Sequence, residues 1–198
     1  MSAITISRQM GSRGDELAEE VARHLSWRLV CRDIINQAAL AAGVPQVALA
    51  EVDELGLLGL RPTARERRLY LNQVERIIRE LADEGDVVIV GRGSQLVLRE
   101  RPDVLHVRVV APLETRVDWL CQEEAICREA ACVRLEASDR ARARYLQRNY
   151  RVRVGDPALY HLVINMGRLT LPVAVGLVLH TFRTWRNIPE GAPKAIPC

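Results

Sequence analysis

Seven residues within nine positions, Arg8, Gly11, Ser12, Arg13, Gly14, Asp15 and Glu16, are of the types that handle phosphate. They follow a short β-branched run, Ile4-Thr5-Ile6, and open straight into a helical pattern. A strand, a glycine-bearing loop and a helix in that order aim free backbone N–H groups and a helix dipole at one point, where an anion is held. Loops of this kind usually end Gly-Lys-Ser/Thr, the lysine neutralising the β- and γ-phosphates and the hydroxyl holding magnesium. With Gly11-Ser12-Arg13 in the Gly-Ser-Gly place, Gly14 stands at the lysine position. A replacement cation has to be Arg8 or Arg13. Asp15, two residues beyond Arg13, would compete with a nucleotide for that guanidinium. The plain alternative is a tight strand–helix turn with no ligand.

A second arginine stands in a comparable place. Val87-Val88-Ile89-Val90 is apolar throughout, the pattern of a central parallel strand covered on both faces, and it runs into Gly91-Arg92-Gly93-Ser94. Arg92 at that strand's end is a candidate for an acceptor's phosphate. Arg142, with Arg140 and Arg144 nearby, lies in a long helical pattern and is a candidate to close over the site. With Asp139 three residues back it also reads as a surface ion pair.

The elements that must position these residues follow from periodicity. The first helix presents Leu17, Val21, His24 and Leu25 on one face and Glu16, Glu19, Glu20 and Arg23 on the other. Arg28 to Cys31 reads as a second strand, and Arg32 to Leu40 as a helix stopped by Gly43. Val44 to Leu60 is a mixed stretch with a short helix and a Gly56/Gly59 loop. Thr63 caps a long helix to about Glu84 with Leu69, Val74, Ile77, Ile78 and Leu81 as its buried stripe. Val104 to Val110 is a further strand, and Pro112 opens helical patterning that continues, with a break, to about Tyr150. His161 to Asn165 is the last strand, a helix to about Trp185 closes the fold, and Asn187 to Cys198 is a loose tail. His106 and His161 fall on strands and read as core or edge residues. Strands separated by helices build a parallel sheet covered on both faces, with ligands at the carboxyl ends of the strands.

Composition narrows the function class. A chain of 198 residues with 48% hydrophobic and 27% charged residues fits one globular domain. A net charge of +3, with few aromatics among the arginines from Arg140 to Arg153, argues against nucleic-acid binding. Lys194 is the sole lysine among 28 basic residues, so a phosphate site in the body of the chain must use arginine, backbone N–H and metal. The five cysteines form no C-x-x-C pair and no zinc spacing, and read as reduced apolar fillers of a cytoplasmic protein. The longest apolar stretch, Leu169 to Leu179, contains Pro172 and Gly176 and is too short to span a bilayer.

Three stretches taken together resemble the cytidylate-kinase-like family of P-loop kinases: Ile6 to Ser12, the turn at Gly91, and Asp156 to Leu169. The match runs in register from about Ala3 to Thr181. Ile4 to Leu17 resembles the family's first strand and phosphate loop, which also lacks the lysine. Val90 to Gly93 resembles its acceptor-side turn, and Val107 to Arg116 its fourth strand and following helix. Asp139, Arg142 and Tyr145 fall on the Asp-x-x-Arg-x-x-Tyr spacing of its lid helix. Three departures stand out. The family loop Gly-Ser-Gly-Gly-Arg-Glu becomes Gly11-Ser12-Arg13-Gly14-Asp15-Glu16, an Asp after the second strand becomes Cys31, and an Asp-Trp pair before Asp156 becomes Arg153-Val154.

The resemblance implies an α/β fold, a P-loop kinase-like three-layer α/β/α sandwich with a five-stranded parallel sheet and a helical lid. It implies a single domain over residues 1–186, with an acceptor-binding insert at about 32–84, a lid at about 120–155 and a tail at 187–198. The implied activity is transfer of the ATP γ-phosphoryl group to CMP, dCMP or a related small acceptor, with ATP and magnesium as cofactors and no protein metal ligand assigned. Backbone groups of Gly11, Ser12, Arg13, Gly14, Asp15 and Glu16 would hold the donor, and Arg8, Arg13 and Arg142 would act in catalysis. Asp33, Arg92, Asp139 and Arg142 would bind the acceptor. The competing reading is a catalytically weak nucleotide-binding sensor on the same fold.

Overall fold

The computed structural model describes residues 2–45 and 63–185. The Gly56/Gly59 loop, nearly all of the mixed stretch before Leu60 and the tail from Asn187 lie outside the described residues, as do Lys194 and Cys198. The strands are β1 (Ala3–Arg8), β2 (Arg28–Val30), β3 (Val87–Val90), β4 (Val104–Val110) and β5 (Leu162–Asn165). Between and after them come α1 (Gly14–Leu25), α2 (Arg32–Ala41), α3 (Ala64–Glu84), the one-turn α4 (Ser94–Val97), α5 (Leu113–Glu124), α6 (Arg128–Tyr150) and α7 (Leu171–Trp185). All strand pairs are parallel, in the order β2-β3-β1-β4-β5, so the expected three-layer sandwich is the observed one.

Each side of the sheet carries its own core. Ile4, Ile6, Val88, Val107 and Val109 pack against Leu17 and Val21 of α1 and against Val178 and Phe182 of α7. Val87, Ile89 and Val104 pack on the opposite side against Ile35 of α2 and Tyr70, Val74 and Ile78 of α3. With apolar side chains on both faces, every residue of β3 is at most 1% exposed. The carboxyl end of β1 sits between those of β3 and β4, and this places the loop after β1 beside the turn after β3.

Some details depart from the sequence pattern. In α3, Tyr70 is fully buried and Leu69 is 48% exposed, because the tyrosine hydroxyl finds Asn36 Oδ1 at 3.2 Å and its ring then fills the core. The Thr63 cap is as expected: its Oγ1 accepts from the Glu66 N–H while Glu66 reaches back to the Thr63 N–H. His24 is exposed on α1, its Nδ1 2.8 Å from the Glu20 carbonyl. The helical stretch after Pro112 breaks at Ala125, which takes a left-handed φ of 54° and separates α5 from α6. Cys127, read as an apolar filler, is exposed at the start of α6. Among the described residues no helix is long and apolar enough to cross a membrane.

On the α3 side of the sheet a polar seam crosses the apolar core. Thr5 and Ser7 of β1 lie in register with His106 and Arg108 of β4. Thr5 Oγ1 is 2.7 Å from His106 Nδ1, and the His106 ring stacks on His161 with centroids 5.1 Å apart. The His106 main-chain N–H donates to His161 Nδ1 at 2.9 Å, which keeps that ring neutral. Burial first, and then repulsion from His161, pushes His106 from its ordinary 6.5 down to about 4. Burial lowers His161 as well.

A histidine whose folded pKa is depressed contributes stability that is present above its unfolded pKa and is lost as pH falls toward the folded value. Lowering the pH from 7 to 5 should therefore cost about 2 kcal/mol through His106 alone. Urea titrations at the two pH values should show that loss in the parent and a much smaller one in His106→Gln. Equal losses in both proteins would assign the pH dependence to other groups.

Candidate functional site

The loop after β1 is shaped by its own side chains and by its neighbours. Ser12 is fully buried and its Oγ donates to the Gln9 carbonyl at 2.8 Å, closing the turn from inside. Gln9 ties the loop to the end of β4: its N–H donates to the Val109 carbonyl at 3.1 Å and its Oε1 accepts from the Ala111 N–H at 3.1 Å. Gly11 (φ 69°) and Arg13 (φ 58°) take left-handed conformations that turn the chain into α1. The first-turn N–H groups of Gly14, Asp15 and Glu16 have no helical acceptor and point out of the helix end. This is an anion cradle of the kind the glycine pattern implies.

Arg8 crosses that cradle. A Cβ built on Gly14 would lie 2.5 Å from Arg8 Cβ and 2.9 Å from Arg8 Cγ, so the arginine stem occupies the space of a residue-14 side chain. The guanidinium continues toward Gly91, with Nη1 3.1 Å from where that glycine's Cβ would stand. Its Nε donates to Asp15 Oδ1 at 2.9 Å. Asp15 thus pairs with Arg8, not with Arg13 as the sequence spacing suggests. Arg13 turns outward, its Nε donating to Glu16 Oε1 at 3.1 Å and its guanidinium lying 5.2 Å from the Trp119 ring.

Arg116 on α5 fastens the loop to the helices above it. Only 3% exposed, it donates from Nε to the Ala111 carbonyl at 3.1 Å and from Nη1 to the Met10 carbonyl at 3.2 Å. Its Nη2 donates to Asp139 Oδ2 on α6 at 2.8 Å. Asp139 therefore reaches the site through Arg116. Met10 also packs under the small apolar cluster of Val117, Leu120, Ala131 and Leu135 that joins α5 to α6.

The turn after β3 is unusual in its backbone. Gly91, Arg92 and Gly93 all have positive φ, at 81°, 54° and 69°. For a non-glycine residue this costs about 1–3 kcal/mol and persists only where its surroundings enforce it. The turn folds Arg92 back against the sheet, leaving it 9% exposed. Tyr150, at the end of α6, rests on Gly93, its Cε2 3.0 Å from where a Cβ would be. Tyr150 and its neighbour Tyr145 meet edge to face at 6.2 Å, and burial raises both hydroxyls above their ordinary pKa, so they stay neutral.

Between the strand ends and α6 lies a cleft of about 630 Å³, counting its open mouth. Among the described residues five arginines line it, Arg8, Arg32, Arg92, Arg108 and Arg142, and no carboxylate does. Of the residues singled out in the sequence, Arg8, Arg92 and Arg142 come together there. Asp33 is exposed on the first turn of α2 and pairs with Arg32 at 3.4 Å, and it is Arg32 that reaches the cleft. Arg32, Arg108 and Arg116 carried no signal in isolation. Arg108 had one in context, as a polar residue alternating with His106 in an otherwise apolar strand.

The donor set suits a nucleotide polyphosphate: an N–H cradle, a guanidinium across it and more guanidiniums beyond. Among the described residues no cluster of three or more His, Cys, Asp or Glu could hold a metal ion. Ser12 Oγ is committed to the Gln9 carbonyl and Glu16 to Arg13. Magnesium would enter ligated by the nucleotide's own phosphates, with Asp15 the carboxylate at the cradle.

Residues 3–168 match the cytidylate kinase-like family. A cytidylate kinase of Methanopyrus kandleri is 31% identical over 173 residues, covering 83% of this chain and 84% of that protein. A uronate isomerase of Corynebacterium glutamicum is 26% identical over 151 residues, which are 76% of this chain but 29% of that protein. An uncharacterised protein from Eubacterium ventriosum superposes with a TM-score of 0.73 at 19% identity, covering 93% of this chain and 99% of the other. A shikimate kinase from Acinetobacter baumannii, in complex with shikimate, gives 0.54 at 12% identity over 94% and 95%. These superpositions show the fold of P-loop kinases.

The tie between the loop and α6 has a measurable weight. Asp139→Ala leaves the buried Arg116 guanidinium without its counter-charge, which should cost about 3 kcal/mol in urea unfolding. Asp139→Asn, still an acceptor, should cost less. A change under about 0.5 kcal/mol for the alanine variant would mean that Arg116 is held by the two carbonyls alone.

Proposed function

Because the chain belongs to the cytidylate kinase-like family, we propose that it transfers the γ-phosphoryl group of ATP to CMP, dCMP or a related small phosphorylated acceptor. The observation that carries this reading is the cleft lined by five arginines and, among the described residues, by no carboxylate, opening beside an N–H cradle. Only a multiply charged anion suits such a place, and phosphoryl transfer needs positioning and charge stabilisation more than covalent chemistry.

In this reading the N–H groups from Gly11 to Glu16 hold the donor's β-phosphate. Arg8, whose stem fills the space over Gly14, supplies the cation that a lysine supplies elsewhere. Arg13, drawn to Glu16 and Trp119, would have to leave both partners to serve there. Arg92 holds the acceptor's phosphate from its left-handed turn, and Arg142 reaches in from α6 to take up charge on the group in flight. Magnesium, arriving with ATP, neutralises the phosphates that these residues orient. A cytoplasmic setting follows from ATP as the donor.

One observation favours the competing reading, a nucleotide-binding sensor with little turnover: Asp15 holds the Arg8 guanidinium that ATP would need. An assay of the purified chain with ATP, magnesium and a panel of nucleoside monophosphates separates the two. Phosphorylation of CMP or dCMP above the other acceptors supports the proposal, and saturable ATP binding without product supports the sensor.

Two variants test the assignment within the site. Arg92→Ala should raise KM for the monophosphate at least tenfold and change that for ATP little; equal losses for both would move Arg92 to the donor side. Gly14→Ala puts a methyl 2.5 Å from Arg8 Cβ, so the Arg8 stem and the start of α1 must move apart. It should lower kcat/KM for ATP on the order of 10²-fold while the far-UV spectrum is kept. Unchanged kinetics would show that the position of Arg8 does not matter to turnover.

A further inference from the structure

Three arginines are buried in this region, Arg92, Arg108 and Arg116, and the last two are treated very differently. Arg116, 3% exposed, has two carbonyls and the Asp139 carboxylate. Arg108, 7% exposed in the middle of β4, has one neutral partner: its Nη1 donates to Ser7 Oγ at 2.8 Å. Its guanidinium also lies 6.0 Å from the Tyr160 ring. Among the described residues no carboxylate comes within ion-pair distance of it, and the nearest acidic charge felt there is that of Asp139, already bound to Arg116. A guanidinium has five N–H donors, so most of the fork is left to face the cleft it lines.

Physical chemistry makes such an arrangement costly unless an anion completes it. Burial lowers the pKa of Arg108, but a guanidinium starts so high that it stays charged. Taking an uncompensated charge out of water costs several kcal/mol, and a well-packed apolar residue of similar size would avoid that cost. Apart from His106, the strand around it is valine and leucine. Ser7 and Tyr160 keep the fork in place without neutralising it.

We propose that Arg108 is a phosphate-binding residue of the cleft that Arg92 also lines, and that the counter-charge Arg108 lacks is the phosphate of the acceptor. The proposal rests on the phosphotransferase reading for the identity of the ligand, but not for the presence of an anion site. It makes Arg108 a specificity determinant: the acceptor is accepted for its phosphomonoester dianion, and the nucleoside alone leaves the cation bare.

The test begins with thermal unfolding of the whole chain in plain buffer and in millimolar inorganic phosphate. The parent should gain stability with phosphate. Arg108→Met should unfold at the same or a higher temperature than the parent in plain buffer, since a buried charge is gone, and should lose the gain from phosphate. A purely structural arginine gives the opposite: a lower unfolding temperature and an undiminished phosphate gain, and that overturns the proposal. If the methionine variant does not fold, Arg108→Gln, which can still donate to Ser7, decides the matter in the same way.

Calorimetric titration then fixes the ligand. CMP should bind the variant about 10- to 100-fold more weakly than the parent, with ATP and cytidine unchanged. Equal CMP affinity in parent and variant overturns the assignment. A lost phosphate gain in a protein whose parent does not bind CMP keeps the anion site and removes the nucleoside monophosphate reading instead.

Discussion

The guanidinium of Arg116 is the joint on which the site depends. One planar fork holds the carbonyl of Met10 in the loop, the carbonyl of Ala111 after β4 and the carboxylate of Asp139 on α6. Each of these groups is buried or half-buried and would lack a partner without it. The loop can present its N–H groups outward because its carbonyl at Met10 is satisfied from behind. The same contact ties the middle of α6 to the loop, so the cradle and a helix that lines the cleft share one anchor. Arginine suits this better than lysine, since three acceptors in different directions need a rigid fork rather than a point charge.

Around that joint the cations are sorted by whether their counter-charge is built in. Arg116 has Asp139, Arg8 has Asp15 and Arg13 has Glu16. Arg108 has a hydroxyl and a ring. The turn at Arg92 points the same way, since the positive φ of this non-glycine residue is kept only where its surroundings hold it. Charge, strain and burial all concentrate at the carboxyl ends of β1, β3 and β4, while the cores on either side of the sheet remain aliphatic.

Much of this was legible in the sequence. The apolar run from Val87 to Val90 marks a central strand because parallel strands are covered on both faces. The glycine loop between a β-branched run and a helical period marks the cradle, and Gly91-Arg92-Gly93 marks the second strand end. Other features depend on tertiary geometry that no local pattern contains. Arg8 pairs with Asp15 because its stem lies over Gly14, a contact set by how α1 leaves the sheet. Leu69 and Tyr70 are adjacent on α3, and helical period alone does not say which one turns inward. Asp139 looks like a partner for Arg142 on its own helix and is claimed by a residue 23 positions away. Arg108 was visible in principle: polar residues alternate at Thr5 and Ser7 and again at His106 and Arg108, which marks one shared face once the two strands are known to be neighbours.

The sheet ends at β2 and β5, which are three and four residues long. Such short borders bear on how the chain behaves before and after folding. A stray strand docking on either one could form only a few main-chain hydrogen bonds, too few to outweigh the entropy of ordering it. The long strands β1 and β4, whose apolar content would make them efficient templates for aggregation, are enclosed on both sides by their neighbours. Protection against edge-to-edge association is therefore a property of the strand order itself, and substitutions around the cleft can be made without disturbing it.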